Sequence, residues 1–244
     1  MPSLLITATD TGVGKTIIAA ALARAWRGAG LDVGVMKPFA SGCTRDPEGH
    51  LVARDAEILR AAARSGDPED LIAPVLFEAP LAPSAAARLE GHDVGSNPAA
   101  RPLAELRARH EWLIVEGIGG ALVPLTDHIL FADWAAAAGL PVLVVARTDL
   151  GTLSHTLLTL EALAGRGVKT VGVVLNRCHG GDPDLAERTN PETLARATDV
   201  PIWGPVPFHG GLGDDAPVEE VVSNLPALDF EGAIRERLRD LESA

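Results

Sequence analysis

Two lysines, two carboxylates and a threonine are the side chains of this chain best suited to phosphoryl chemistry. Lys15 and Thr16 close the run Thr9-Asp10-Thr11-Gly12-Val13-Gly14-Lys15-Thr16, which follows Leu4-Leu5-Ile6 and opens a helical stretch from Ile17 to Trp26. Strand, Gly-rich turn and helix in that order cradle phosphates, because the turn's N–H groups and the positive helix end face the anion. There the Lys15 ammonium reaches the β/γ-phosphates and the Thr16 hydroxyl faces Mg²⁺. The common pattern has Gly where Thr9 stands, and a plain strand-to-helix turn can carry Gly-Lys-Thr without a ligand. The other residues must decide.

They follow the apolar runs. Val33–Met36 leads into Lys37-Pro38 and then Ser41-Gly42. A Lys at a strand end caps a sheet in solvent; beside a triphosphate it becomes a second cation for the transferring group or its acceptor. Trp112–Val115 leads into Glu116-Gly117-Ile118-Gly119-Gly120. Glu116 is either a solvated turn residue or the carboxylate that reaches Mg²⁺ across from the phosphate loop, with glycines admitting close backbone approach. Asp55 opens a helix after Arg54, where Asp is ordinarily a cap. With Thr16 and Glu116 it would give Mg²⁺ three hard oxygen ligands, leaving room for phosphate and water. Past Val145-Ala146, the segment Arg147-Thr148-Asp149-Leu150-Gly151-Thr152-Leu153 opens another helix, whose N-terminus can hold a second anion such as a carboxylate. His155 falls inside that helix, in a packed or capping role. Asn176-Arg177 ends a further apolar run, where an Asn amide matches the N6/N7 edge of adenine or serves as a turn residue.

The elements that must position these residues alternate between short apolar runs and helical patterns, which predicts a parallel sheet. Strands are expected at Leu4–Thr7, Val33–Met36, Trp112–Val115, Val142–Ala146, Val171–Leu175 and Ile202–Val206. Their continuous apolar character fits burial on both faces. Helices are expected at Lys15–Gly28, Asp55–Arg64, Pro102–Arg109, Ala132–Ala138, Leu153–Gly165, Glu192–Ala197 and Phe230–Leu241. Loops are expected at the Pro/Gly clusters Gly42–Gly49, Gly91–Pro102, His179–Pro183 and Phe208–Pro217, none long enough to link two domains. The fold class expected is α/β: one doubly wound P-loop domain over residues 1–244, with a mostly parallel central sheet flanked by helices and ligands beyond the strands' carboxyl ends.

The chain has 244 residues, of which 47% are hydrophobic, enough for one large core. Its net charge of −12 repels polyanions, which argues against nucleic-acid or anionic-membrane partners. No apolar run reaches the roughly 18 residues of a membrane span, and the N-terminus begins a strand without a signal segment. Cys43 and Cys178 lack metal-ligand spacing and fit a reducing compartment, so a cytoplasmic protein is expected. No His or Lys stands beside Cys43 in sequence to activate it, which reads it as a bystander thiol.

Taken together, T-D-T-G-V-G-K-T, V-M-K-P-F-A-S-G, V-E-G-I-G-G, D-L-G-T-L-S-H-T, V-L-N-R and P-V-P resemble the dethiobiotin synthetase family, in family order from residue 4 to about 208. The resemblance implies ATP- and Mg²⁺-dependent conversion of 7,8-diaminopelargonic acid and CO₂ to dethiobiotin, in a homodimer with sites near the subunit interface. A carbamate forms, ATP phosphorylates it to a mixed carbamic–phosphoric anhydride, and the neighbouring amine closes the ring. It further implies that Lys37 contacts the carbamate and the γ-phosphate, with Lys15 and Thr11 beside it, and that Ser41 holds substrate. The loop residues Gly12 to Ile17, with Gly117, Ile118 and Gly119, would line the nucleotide. Gly151, Thr152 and Leu153 would take the far carboxylate from the partner subunit. Asn176, Arg177 and the Pro205-Val206-Pro207 backbone would hold adenine. No protein nucleophile is required, in keeping with a bystander Cys43.

The chain departs from the family pattern in places. Ala8 and Gly12 replace a frequent Gly and an occasional acidic residue, and Ser84 an occasional His. An Ala8 at positive φ would be strained. The chain has no Tyr to touch the substrate carboxylate, and Asn190 falls near that place. Two other functions share the phosphate loop. A partition- or transport-type ATPase switch usually has a second Lys where Asp10 stands. A cobyrinate-type amide ligase usually has a glutaminase domain, for which this chain has no room.

Overall fold

The computed structural model describes residues 2–243 apart from 93, 95, 96 and 211–215. The chain enters through β1 (Ser3–Ala8), turns through the Gly-rich loop into α1 (Lys15–Gly28) and returns as β2 (Val33–Met36). A peripheral stretch follows: β3 (Ala40–Ser41), β4 (Thr44–Arg45), β5 (Leu51–Val52), α2 (Arg54–Ala63), α3 (Glu69–Ile72), β6 (Leu76–Phe77), α4 (Pro83–Glu90) and α5 (Ala100–Arg109). Alternation then resumes through β7 (Trp112–Glu116), α6 (Phe131–Ala137), β8 (Val142–Arg147), α7 (Thr152–Ala164), β9 (Thr170–Asn176), α8 (Leu185–Ala197) and β10 (Ile202–Val206). Helices α9 (Val218–Ser223) and α10 (Glu231–Ser243) complete the described chain.

Six strands form one sheet in the order β10-β9-β8-β1-β7-β2, and every neighbouring pair is parallel. The physical reason is the apolar runs. β1, β2 and β7 are buried along their whole length, a state stable only with helices on both faces. One face packs Ile18, Leu22 and Trp26 of α1 with Ile234 and Leu238 of α10. The other packs Leu106 of α5, Phe131 of α6 and Leu163 of α7. Burying each such Leu, Ile or Phe contributes about 1.5–3 kcal/mol. The small Ala19, Ala20 and Ala23 are also fully buried, so they keep α1 bulk-free where it lies on the sheet.

This order positions the site. β1 lies between β7 and β8, so the loop leaving β1 is flanked by the ends of both. The chain moves outward from β1 to β2 on one side and from β8 to β10 on the other. The crevice at such a reversal opens beyond the carboxyl ends of the strands. Register brings Ile6 opposite Glu116, Ala8 opposite Val145 and Arg147 opposite Asn176.

All six expected strands form, each within a residue of its expected ends, and α1 runs over the expected span. Helix α8 is a correction: it starts at Leu185, not Glu192, and runs through Pro191. Pro removes one helical hydrogen bond and usually ends a helix. Here the capping box at Asp184 wins: Asp184 Oδ1 accepts the Glu187 N–H at 2.8 Å and Glu187 Oε2 accepts the Asp184 N–H at 3.0 Å. The short helices α3, α4 and α9 and the two-residue strands β3 to β6 were not anticipated, because one or two turns or one residue pair carry too little periodicity. The expected loop at Gly42–Gly49 contains β4, which pairs antiparallel with β5, and α5 begins inside the expected loop Gly91–Pro102. Part of the expected loop Phe208–Pro217, residues 211–215, lies outside the described residues. Ala8 is also a correction, since it is a buried strand residue and the non-Gly residues at positive φ are Arg64 and Asn97 among those described.

Candidate active site

The phosphate loop owes its shape to two glycines. Gly12 and Gly14 have φ of +74° and +92°, a region L side chains rarely enter. Gly14 also has a packing reason: a Cβ there would meet Asn176 Nδ2 at 2.3 Å. Asn176 lies that close because its amide donates to the Val13 carbonyl at 3.0 Å, tying the end of β9 to the loop. Gly117 is constrained similarly, since a Cβ would meet the Phe131 ring at 2.7 Å and the Ile6 carbonyl at 3.1 Å.

Three side chains expected to hold Mg²⁺ converge from separate elements. The Thr16 hydroxyl, at the start of α1, lies 3.0 Å from Asp55 Oδ1 of α2 and 2.8 Å from Glu116 Oε1 of β7. Lys37 crosses from the end of β2, and its Nζ lies 2.7 Å from both Asp55 Oδ2 and Glu116 Oε1. It also donates to the Gly117 carbonyl at 3.0 Å. Lys37 is 3% exposed and Glu116 fully enclosed, so Lys37 does not cap the sheet in solvent. Asp55 sits one residue inside α2, whose N-cap is Ala53, and its carboxylate points to this cluster.

Charge in this enclosed space shifts every group. Burial works against the Lys37 ammonium, but Glu116 and Asp55 outweigh it and raise its pKa. Burial raises Glu116, and Asp55 adds to this, with Lys37 opposing. Burial would raise Asp55 as well, yet Lys37 prevails and lowers it. Lys15 is brought down to about 8, first by burial and then by the charge of Lys37. Its Nζ lies 3.2 Å from the Asp10 carbonyl, folded back over the loop. Two cations at one wall raise each other's energy, and an anion between them relieves the repulsion.

These groups line a cavity of about 410 Å³ with Thr11, Gly12, Ser41 and Gly119. A second cavity, of about 350 Å³, is walled by Asn176, Arg177 and Pro207 and shares Gly12, Gly14 and Ile17 with the first. The loop therefore divides a charged compartment from a mostly apolar one, as a nucleotide requires. Pro205 is exposed and Val206 buried in β10. Arg177, on the wall of the second cavity, also donates its Nε to Glu187 Oε1 at 2.9 Å, so the guanidinium braces α8. Asn190 is buried, with its amide donating to the Thr148 carbonyl at 2.8 Å and the Asp149 carbonyl at 3.2 Å. Those bonds hold the turn before α7.

The Gly151–Leu153 turn lines neither cavity. Gly151 has a φ of +98°, and Thr152 is buried with its hydroxyl donating to the Arg147 carbonyl at 2.7 Å. His155 is exposed on α7, not packed. Ser84 borders a different cavity, beside Arg88 and Asp127. Burial raises the thiols of Cys43 and Cys178 above their ordinary pKa, the opposite of activation. Sequence reasoning missed Arg54 and Ile58 in the first cavity and Phe208, His209 and Pro226 in the second. Arg54 adjoins Asp55 and could have been flagged; Pro226 carries no local signal.

The donor set fits a magnesium ion. It consists of a hydroxyl and two carboxylates, and Glu116 Oε2 is buried without a hydrogen-bond partner, an acceptor that a cation would satisfy. Among the described residues no group of three or more His, Cys, Asp or Glu could hold a metal. A Mg²⁺ site of one or two carboxylates completed by phosphates and water needs no such group.

Comparison with known proteins agrees with this geometry. A family model described as an AAA domain matches residues 2–216. The chain is 50% identical over 200 residues to the ATP-dependent dethiobiotin synthetase BioD of Anaeromyxobacter sp. (strain K), covering 81% of this chain and 86% of that one. It is 39% identical over 227 residues to the enzyme of the same name from Thermodesulfovibrio yellowstonii, covering 90% and 94%. Among solved structures it resembles the MinD cell division protein of Aquifex aeolicus, at a TM-score of 0.57 and 15% identity over 100% of this chain and 98% of that one. It also resembles pNOB8 ParA, at a TM-score of 0.61 and 13% identity over 98% and 99%. At such identities the structural likeness shows a P-loop fold alone. The relatives speak to more than fold, and they agree with the two lysines and the carboxylate pair gathered at one loop: the chain belongs to the family of ATP-dependent dethiobiotin synthetases.

Proposed function

We propose that this chain carries out the ATP-dependent carboxylation and ring closure of 7,8-diaminopelargonic acid with CO₂, giving dethiobiotin for biotin synthesis. The observation that carries this reading is Lys37, buried between Glu116 and Asp55 on the wall of the cavity that also contains Lys15. An amine of the substrate adds to CO₂ and loses a proton, leaving a carbamate. A carbamate oxygen attacks the γ-phosphorus of ATP and ADP departs. The second amine then attacks the carbonyl carbon of the mixed anhydride, and phosphate leaves as the cyclic urea closes.

Both the nucleophile and the phosphoryl group are anionic, so the protein's part is to lower repulsion and to position. In this reading Lys37 faces the carbamate and the γ-phosphate, Lys15 faces the β/γ-phosphates, and Thr11 and Ser41 orient the reacting end. Thr16, Asp55 and Glu116 would hold Mg²⁺. When bound, that ion supplies neutralisation of the phosphate charge. Asn176 and Pro207 border the adenine side. The Gly151–Leu153 turn lies away from both cavities, which supports its serving the active site of a partner subunit in a homodimer. The described residues would act as one catalytic domain. A reducing, cytoplasmic setting accords with two free cysteines.

The test is direct. Protein is mixed with ATP, Mg²⁺, bicarbonate and the diamine, and the products are read by mass. One cyclic urea and one ADP per turnover are expected. ATP hydrolysis without the urea, or glutamine-dependent amidation, would reject the reading.

A further inference from the structure

Asp10 sets a problem that the reaction above leaves open. It lies within the phosphate loop, next to Thr11, and its carboxylate is an anion in the element that must receive a triphosphate. Its Oδ1 accepts the Thr11 N–H at 2.7 Å, which consumes a donor that a phosphate could otherwise use. Its backbone carbonyl accepts from Lys15 at 3.2 Å. The chain's charge of −12 offers no general relief. Arg147, the last residue of β8, pairs with it directly, its Nη2 2.6 Å from Asp10 Oδ2.

We propose that Arg147 is a positioning residue for nucleotide binding, acting through Asp10: it neutralises the loop carboxylate and fixes the crown of the phosphate loop against the end of β8. Four observations support this. The pair joins the two strand ends that flank the crevice, since β1 and β8 are neighbours in the sheet. Arg147 stands opposite Asn176 in the register of β8 and β9, beside the residue that ties β9 to the same loop. Its carbonyl accepts from Thr152, which anchors the turn into α7. Its Nε is buried with no hydrogen-bond partner among the described residues, an arrangement that stability alone does not favour. A buried unmatched donor is tolerated here while the guanidinium end reaches Asp10.

The inference rests on the loop being an ATP site, and its test is separable from the ring-closure assay because it reads nucleotide binding without the diamine. ATP affinity is measured by calorimetry with Mg²⁺ for wild type, R147A, R147K, D10N and the double variant R147A/D10N, with thermal melts run on each. R147A should bind ATP about tenfold more weakly, because an uncompensated carboxylate then stands within the phosphate loop. D10N should bind within about threefold of wild type, and adding D10N to R147A should recover most of the loss. R147K, which keeps the charge but not the fork, should fall between. Steady-state kinetics should show the R147A loss in KM for ATP, with kcat within about threefold. A double variant as weak as R147A would overturn the proposal by showing a merely structural arginine. So would an R147A that binds ATP like wild type. If R147A does not fold, D10N alone decides: a loss above about tenfold overturns it, and unchanged affinity supports it.

Discussion

The ammonium of Lys37 lies 2.7 Å from Glu116 Oε1, and neither side chain is open to solvent. A pair enclosed in this way rarely adds net stability, because desolvating both charges offsets their attraction. It is better understood as a preset charge aimed at a reacting group, and that understanding separates the effects of mutation on folding, binding and turnover.

Lys37→Ala should lower kcat by about 100-fold or more, since it removes a cation aimed at charge that develops during transfer. ATP affinity should change by no more than about threefold, because Lys15 and the loop N–H groups remain. Glu116 would be left buried and unpaired, at a stability penalty of about 3–5 kcal/mol. A denaturant melt run beside the kinetics separates that loss from the catalytic one. Wild-type turnover in a folded Lys37→Ala protein would remove Lys37 from the mechanism.

Asp55→Ala and Glu116→Ala should each raise the Mg²⁺ concentration needed for half-maximal turnover by about tenfold, as removal of one of two carboxylates weakens a hard-cation site. Asp55 is 43% exposed and its loss should leave folding nearly intact, whereas Glu116 is enclosed and anchors Lys37. Metal titration of the two variants checks this. Unchanged titration curves would show that the three-oxygen site is misassigned.

Gly14→Ala should cripple nucleotide binding. The added methyl would meet Asn176 Nδ2 at 2.3 Å, at a φ of +92° that Ala rarely adopts. The backbone strain alone is about 1–3 kcal/mol. Displacing Asn176 would also break its bond to Val13 and disturb the wall of the second cavity. Calorimetry should show at least about a tenfold loss of ATP affinity, while Gly12→Ala, with nothing within 4 Å of its Cβ, should lose less.

Glu187 predicts an acid limit to stability. Its hydrogen bond from Arg177, then that from the Asp184 N–H, lower its pKa to about 2. A carboxylate lowered on folding binds fewer protons in the native state than in the unfolded one, so stability rises with pH across the interval between the two values. The contribution is therefore complete above about 4.5 and lost as pH falls towards about 2. Glu187→Gln should melt earlier than wild type at neutral pH, and the gap should close in that acid window. A constant gap in melts from pH 7 to 2.5 would contradict the assignment.

Much of the site could be read from the chain because its chemistry is local. Gly12 to Thr16 form a phosphate loop within one turn, and the loop's glycines need positive φ whatever surrounds them. The six parallel strands were legible because burial on both faces leaves uninterrupted apolar runs such as Leu113-Ile114-Val115. Where local signals compete, the chain is ambiguous: a helix is expected from Glu192, just after Pro191, but the Asp184–Glu187 capping box begins α8 at Leu185, seven residues earlier.

What only the tertiary structure decided is which strand-end groups face one another. Lys37 could have pointed to water, and Asp55 could have been a simple cap. Sheet order settles these cases, because placing β1 between β7 and β8 brings Glu116 and Arg147 to opposite sides of one loop. Residue type specifies what a side chain can bond, but a charge's partner depends on distances of a few ångströms between residues far apart in the chain, 79 for Lys37 and Glu116 and 137 for Asp10 and Arg147, and these exist only after the sheet has formed.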